Sequence, residues 1–284
     1  MTEDGRAGDR RRAALSDTTA GADLRAVRRR LGLGRVLPLG GPRDGAWITE
    51  QAAGPVLRST AASVRGARLG RLRLSPSRPE QSHDPAVPPP PSALPPGPLR
   101  IDAEVRVAAD PLATAAEPLP VTAARLRAAL ARTAAERLGL TVTEVDLRVT
   151  GLLDSADMDD TGDTEEVKGA EDTEGVEGAE DTEPAGPDPG PGPAGAGEEA
   201  RVAAAVLAVP GVTRLTGVLG RPDRAIRIGT GPALPRRHVR VEIAVASERR
   251  ALDVARAVRT AAGGALPDHP SVAVLVTAVD RANH

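Results

Sequence analysis

The stretch from residue 234 to residue 280 constrains the fold more than any other part of the chain, because its hydrophobic period changes from two to 3.6 and back to two. The first segment alternates from His238 onward and predicts a strand with one buried face, formed by Val239, Val241, Ile243 and Val245. An apolar stripe from Ala251 to Ala262 then predicts a helix. Residues 272–279 are apolar on both faces, which predicts a second strand inside a sheet.

Length and composition limit what kind of protein this is. With 284 residues the chain is long enough for two ordinary domains. It has no Phe, no Tyr and no Cys, and its one aromatic residue is Trp47, so the core consists of Ala, Val and Leu and holds no disulfide. No apolar run reaches the length of a membrane span, and the N-terminus lacks the apolar region of a signal peptide. These features predict a cytoplasmic protein, with the inner face of the membrane as a peripheral site.

The N-terminal 45 residues are basic. We predict a disordered basic tail over residues 1–22, then a basic amphipathic helix and a Gly-rich loop over residues 23–45. The loop is not followed by the Gly-Lys-Ser/Thr of a phosphate loop. The helix is the candidate contact for a membrane or a polyanion, through Leu24, Arg25, Val27, Arg28, Arg29, Arg30 and Leu31. The alternative is that its apolar residues pack on the domain behind it.

The two halves of the chain share one order of predicted elements. Residues 46–153 and 198–280 each read helix, strand, strand, helix, strand, and Val64-Arg65-Gly66 corresponds to Val209-Pro210-Gly211. We predict an α+β fold made of two repeated two-layer domains. The first helix follows the N-cap Thr49 and is interrupted near Pro55. Its repeat also carries a Pro-rich insert over residues 75–98, interpreted as an extended spacer, with a ligand for a proline-reading module as the alternative.

An acidic segment separates the two predicted repeats. Residues 154–183 contain 14 acidic residues and Lys168, a net charge of −13, so the remainder of the chain carries −2 + 13 = +11. A Pro/Gly-rich run follows. We predict that residues 154–197 form a disordered linker.

Few residues suggest a catalytic or metal-binding role. The one carboxylate cluster predicted on a rigid surface is Asp102, Glu104, Glu144 and Asp146. Because Arg residues share that face, the pattern is typical of a solvated sheet surface rather than of an acid–base pair. The four His residues, His83, His238, His269 and His284, lack metal-ligand spacing. We therefore predict no enzymatic activity, no cofactor site and no metal site.

Several short motifs carry a family resemblance. The sequence Trp47-Ile48-Thr49-Glu50, the two helix ends at Gly66 and Gly211, and the ending Val279-Asp280 resemble the alkaline shock protein family of envelope-stress domains. Residues 27–50 are also similar to a group of uncharacterised actinobacterial proteins that carry a nucleopolyhedrovirus P-ten label. The first resemblance implies non-enzymatic domains that self-associate at the cytoplasmic membrane.

Two functions follow as hypotheses. The first is an intracellular binding or scaffold protein of the cell envelope or its stress response, acting by self-association or through a protein partner. The second is a protein that binds nucleic acid or another polyanion through its basic remainder, with the acidic linker as an internal competitor.

Overall fold

Two β-sheets and four α-helices make up the described part of the chain and confirm the predicted α+β class. The computed structural model describes residues 34–108, 118–153, 193–217, 225–229 and 237–281. The strands are β1 (Val36–Leu39), β2 (Ala46–Thr49), β3 (Ala67–Pro76), β4 (Leu99–Ala108), β5 (Val142–Leu153), β6 (Val212–Leu215), β7 (Ile226–Gly229), β8 (His238–Ala246) and β9 (Ser271–Asp280). The α-helices are α1 (Glu50–Ala62), α2 (Leu119–Thr133), α3 (Pro193–Leu207) and α4 (Ala251–Gly264), with a π-helical turn at Ala134–Leu138 and a 3-10 turn at Pro79–Gln81.

The smaller sheet has three strands in the order β3-β4-β5. Strand β3 is antiparallel to β4, whereas β4 and β5 are parallel and are connected through α2. On β4, alternate side chains from Leu99 to Val107 are buried and those between them face outward, as the period of two predicts. The outward face of this sheet therefore carries the charged residues of all three strands.

The larger sheet has six strands, with the order β1-β2-β9-β8-β6 and β7 also paired with β8. Strands β6 and β7 are antiparallel to β8, and β8 is parallel to β9, with α4 between them. Pairing sense and element order are thus the same as in the smaller sheet. That the two halves are copies of one sequence stays a prediction.

Strands β1 and β2 cross from the first half of the chain into the sheet of the second half. Strand β1 lies in the segment predicted as a Gly-rich loop, and β2 runs parallel to β9, with Trp47 opposite Leu275. The loop prediction was wrong there, because Leu37, Leu39 and Ile48 are fully buried and a turn at residues 40–45 folds the segment into a hairpin. One sheet consequently contains strands from both sides of the acidic segment.

Helix α1 is continuous, so the predicted interruption near Pro55 was wrong. Its N-cap is Thr49, as predicted, and the Thr49 Oγ1 accepts a hydrogen bond from the Ala52 N–H at 3.2 Å. Pro55 removes one helical donor in the second turn, where the carbonyl of the exposed Gln51 is open to water. The helix contacts β3 of one sheet and β9 of the other, which joins the two sheets.

Two further contacts connect the two halves of the chain: an ion pair, and a glycine that packs closely against a leucine. Arg256 on α4 donates to Asp44, from Nε to Oδ1 at 2.8 Å and from Nη2 to Oδ2 at 3.1 Å. Burial raises the pKa of Asp44, but the hydrogen bonds from Arg256 and from the Gly41 N–H more than offset this, and the pKa lies below its ordinary value. Gly139, at φ +90°, lies directly against Leu252.

The Pro-rich insert packs on the outer face of the larger sheet, so its interpretation as a spacer was wrong. Val87 and Ala93 cover Trp47, whose indole Nε1 donates to the Leu94 carbonyl at 3.4 Å. The insert lacks many N–H groups, yet its carbonyls and its apolar side chains are still available for packing. Strand β8 is also buried on both faces in its middle, with Glu242 only 1% exposed, which corrects the prediction of one buried face.

Candidate functional site

The predicted carboxylate cluster lies on the outward face of the three-stranded sheet. Strands β4 and β5 are neighbours, and Asp102 stands directly opposite Asp146 in their register. Arg100 lies between the two carboxylates, with its Nε 3.2 Å from Asp102 Oδ1 and 3.6 Å from Asp146 Oδ2. These side chains are partly exposed, and such ion pairs contribute roughly 0–1 kcal/mol. The mixed, solvated surface that the sequence predicted is therefore confirmed.

A shallow depression of about 450 Å³ follows this face. Its charged lining contains both signs and consists of Arg71, Arg73, Asp102, Glu104, Asp146 and Arg148. In the strand register Arg73 faces Asp102 and Glu104 faces Arg148, whereas Asp102 faces Asp146. Because three basic and three acidic side chains line it, the depression has no single sign that would select a small ion of the other sign.

The free edge of β3 borders a larger cleft of about 890 Å³ beside the Pro-rich insert. This edge is closed at Leu74, whose N–H donates to Glu50 Oε1 at 2.9 Å and whose carbonyl accepts from Arg35 Nη1 at 2.8 Å. The backbone groups of Leu74 are therefore satisfied by side chains of the same chain.

The second edge of the three-stranded sheet is formed by β5 and carries exposed apolar side chains. This strand is twelve residues long and, within the described ranges, pairs only with β4. Val149 and Leu152 on it are 46% and 60% exposed, although they are large and apolar. Leu119 and Val121, in the first turn of α2, are exposed as well. We call Leu119, Val121, Val149 and Leu152 the apolar end patch.

The topology brings the members of the apolar end patch to one end of the sheet. Strands β4 and β5 are parallel, so the helix between them runs back along them and begins where they end. Arg127, eight residues into α2, donates from its Nε to the Val145 carbonyl at 3.3 Å, which fixes the helix beside the first half of β5. The start of α2 and the end of β5 therefore lie together.

The sequence did not single out this edge. Neither Val149 nor Leu152 was among the candidate contact residues. The strand continues because a register irregularity after Val149 lets Gly151 and Leu152 pair with Arg106 and Val107. A Gly that interrupts an apolar run is the signal that indicates such a bulge.

The residues predicted to contact a membrane or a polyanion lie outside the described ranges: Leu24, Arg25, Val27, Arg28, Arg29, Arg30 and Leu31. His284 lies outside them too, and the other three His residues belong to separate elements. Among the residues that the structure describes, no three His, Asp or Glu side chains are grouped to hold a metal ion. None of the helices in these ranges is both long and apolar enough to cross a bilayer.

Among the described His residues, His238 is the one that lies in a strand, and it is half-buried. Burial lowers its pKa, the charge of Arg240 lowers it further, and a hydrogen bond with Ser271 raises it, so that the pKa lies below the ordinary 6.5. The His238 Nδ1 and the Ser271 Oγ are 2.9 Å apart. The folded protein therefore holds this imidazole neutral at pH values where the unfolded chain protonates it.

This pKa shift predicts a pH dependence of stability. As the pH falls below 6.5, the unfolded chain binds a proton that the folded protein does not, so the free energy of unfolding should decrease. His238→Gln keeps a hydrogen-bonding group near Ser271 and removes the titration. Urea unfolding between pH 7.5 and 5.5 should show a smaller decrease for the variant than for the wild type. Identical slopes for the two proteins would contradict this assignment.

Comparison with known proteins gives no relative. No protein-family model, no curated protein and no solved structure matches the chain.

Proposed function

We propose that this protein is a non-enzymatic binding or scaffold protein that assembles through the open edge of β5. The observation that most supports this proposal is a twelve-residue edge strand beside four exposed, large apolar side chains. An unpaired strand edge presents N–H and C=O groups to a new strand, and adjacent apolar side chains supply specificity and affinity.

The charged outer face supports this proposal over an acid–base role. Arg100 lies close to Asp102 and Asp146, and the Ser75 Oγ also donates to Asp102 at 3.3 Å. An acid–base pair in this position would need desolvated carboxylates, whereas Asp102 and Asp146 are both exposed. The charged outer face is therefore better explained as the solvent-exposed side of a sheet that assembles through its edge than as a catalytic site.

The cell envelope is the proposed site of action, in the cytoplasm and at the inner face of the membrane. The resemblance to envelope-stress domains motivates it, as does the basic amphipathic pattern of residues 23–31. Because so short an apolar face binds lipid weakly alone, assembly of several copies would strengthen membrane binding through multivalency.

Two measurements on the full-length protein test the proposal. Sedimentation over a concentration series should reveal self-association, and flotation with liposomes should recover the protein with anionic lipid but not with neutral lipid. Deletion of residues 1–33 should abolish flotation and leave self-association intact. A protein that stays monomeric and never floats would refute the proposal.

Polyanion binding is the second candidate. It is favoured by Arg side chains on the outward face of the three-stranded sheet, where Arg68 stands opposite Arg106 and Arg71, Arg73 and Arg148 lie nearby. Residues outside 154–183 carry a net charge of +11. Deletion of residues 154–183 should then increase retention on heparin, and salt should reduce it. Unchanged retention after the deletion would remove this candidate.

A further inference from the structure

We propose that the occupant of the β5 edge is the β5 strand of a second copy of this chain, paired antiparallel in a register centred on Leu147. The two three-stranded sheets would join into one six-stranded sheet across a two-fold axis. This inference rests on the proposed function and deepens it, because it names the partner and the register.

The strands of the larger sheet that correspond to β5 or lie at its β1 end are already occupied. Strand β9, which holds the position of β5 in the second half, is paired with β2. Strand β1 is covered by the Pro-rich insert, because the Leu94 N–H donates to the Val36 carbonyl at 2.9 Å and Ala93 forms a bridge with Val36. Strands β6 and β7, which pair only with β8 among the described strands, are four residues long, and the edge of β3 is closed at Leu74, so the twelve-residue β5 is the longest edge in the described ranges on which a further strand can be added.

The backbone of β5 also shows which groups a partner would meet. On the side away from β4, the Val145 carbonyl accepts a long hydrogen bond from the Arg127 side chain at 3.3 Å, which an N–H of an incoming strand would replace or share. Because backbone groups alternate in direction along a strand, Leu147 and Val149 face the same open side. Leu147 at the two-fold axis would form a hydrogen-bonded pair with its own copy.

Charge complementarity selects this register. With Leu147 opposite Leu147, Asp146 stands opposite Arg148 of the second copy, and Arg148 stands opposite Asp146. On the other face Val145 stands opposite Val149. Two opposite-charge pairs and three apolar pairs, including Leu147 with its own copy, therefore form at once, and each such cross-strand pair contributes roughly 0.2–1 kcal/mol.

Neighbouring registers lose this match. A pairing centred on Asp146 places two aspartates opposite each other, and one centred on Arg148 places two arginines opposite each other. A shift by a single residue puts Asp146 on the same face as Leu147 of the second copy. Among these registers, the one centred on Leu147 pairs opposite charges without placing like charges opposite each other.

The apolar end patch adds to the interface. Val149, which is 46% exposed in one copy, would pack against Val145 of the other. Leu152 lies beyond it on β5, and Leu119 lies beside it in the first turn of α2. Burial of exposed apolar surface drives association, and this surface lies directly along the edge that would pair.

Charge reversal at the two facing positions provides the test. In Asp146→Arg, each copy presents arginine at both positions, and in Arg148→Asp each copy presents aspartate at both. Each variant alone should weaken dimerisation about ten- to a hundred-fold, because attraction becomes repulsion at two pairs. An equimolar mixture of the two variants restores opposite charges at both pairs, so it should dimerise like the wild type.

Arg71→Asp is the matched control. It makes the same charge change on the same face, but on β3 at the far side of the sheet. Sedimentation equilibrium should give this variant the wild-type dissociation constant. The fluorescence of the buried Trp47 reports whether each variant is folded, and rescue by mixing cannot arise from two unfolded variants.

The outcomes separate this inference from the proposed function. If the wild type self-associates and both single variants do so equally well, the β5 edge is not the interface, so this inference and the edge named in the proposed function both fail, and a scaffold that assembles through another surface remains. If the single variants are monomeric and the mixture is monomeric too, the register is wrong. A monomeric wild type that still floats with anionic lipid overturns this inference alone, whereas a monomer that never floats overturns both.

Discussion

Trp47→Ala should lower the free energy of unfolding by about 3–5 kcal/mol, because it leaves a large cavity under the Pro-rich insert. Trp47 is 1% exposed and packs with Val36, Val87 and Leu275. It thereby joins strands from both halves of the chain to the insert. Urea unfolding followed by circular dichroism measures the loss, since the variant has no other aromatic fluorophore.

Trp47→Phe is the control for this prediction. It keeps an aromatic ring in the same space and removes the donor to the Leu94 carbonyl together with a smaller part of the ring volume, so the loss should be clearly smaller than for alanine. If the insert were a solvated spacer, Trp47→Ala would cost less than about 1 kcal/mol, as surface substitutions do, and the packing described here would be wrong.

Gly139→Ala should destabilise the protein by roughly 2–5 kcal/mol, from left-handed backbone strain and from a clash in the core. The residue has φ +90°, and an added Cβ would overlap the side chain of Leu252 on α4. The Gly139 carbonyl also accepts from the Gly40 N–H at 2.9 Å. Three segments therefore meet at this position and leave no room for a methyl group.

Gly263→Ala provides the comparison. This glycine lies inside α4, where an added Cβ would make only ordinary contacts, the nearest at 3.8 Å. The substitution should stabilise the protein by about 0.5–1 kcal/mol. Equal effects of the two substitutions in thermal or urea unfolding would contradict the close approach of Gly139 to Leu252.

The sequence predicted the local elements well wherever one period dominated. The strand, helix and strand that became β8, α4 and β9 follow directly from the change of period, and so do β4, α2 and β5. Most core-facing positions in these segments are apolar, with Thr122, Thr133 and Glu242 as buried exceptions, so local pattern and final packing largely agree.

Pairings between distant segments could not be predicted in the same way. Hydrophobic period identifies a strand but not its neighbour, and Trp47 pairs with Leu275, far along the chain. The Pro-rich insert was misinterpreted because proline content describes the backbone donors that are missing, whereas the insert packs through Val87 and through the Leu94 carbonyl.

The sequence did not indicate that β5 is an edge strand, for a related reason. Whether a strand has a free edge depends on which other strands pair with it. Those pairings are known only once the sheets have formed. The sequence did predict the mixed charge on the outer face, because outward residues of β4 and β5 alternate in the primary structure. Because β5 is an edge strand in the described ranges, Asp146 and Arg148 can select the register in which a second β5 strand pairs with it.

The central structural claim is that strands from both sides of the acidic segment form one sheet. A recognition site for a sequence-specific protease, inserted within residues 154–183, allows the chain to be cut after folding. The two fragments should co-elute in native buffer and separate only in denaturant, because Ile48 on β2 pairs with Val276 on β9 and both are fully buried. Two folded fragments that separate in native buffer, as independent domains on a linker would, would contradict the account.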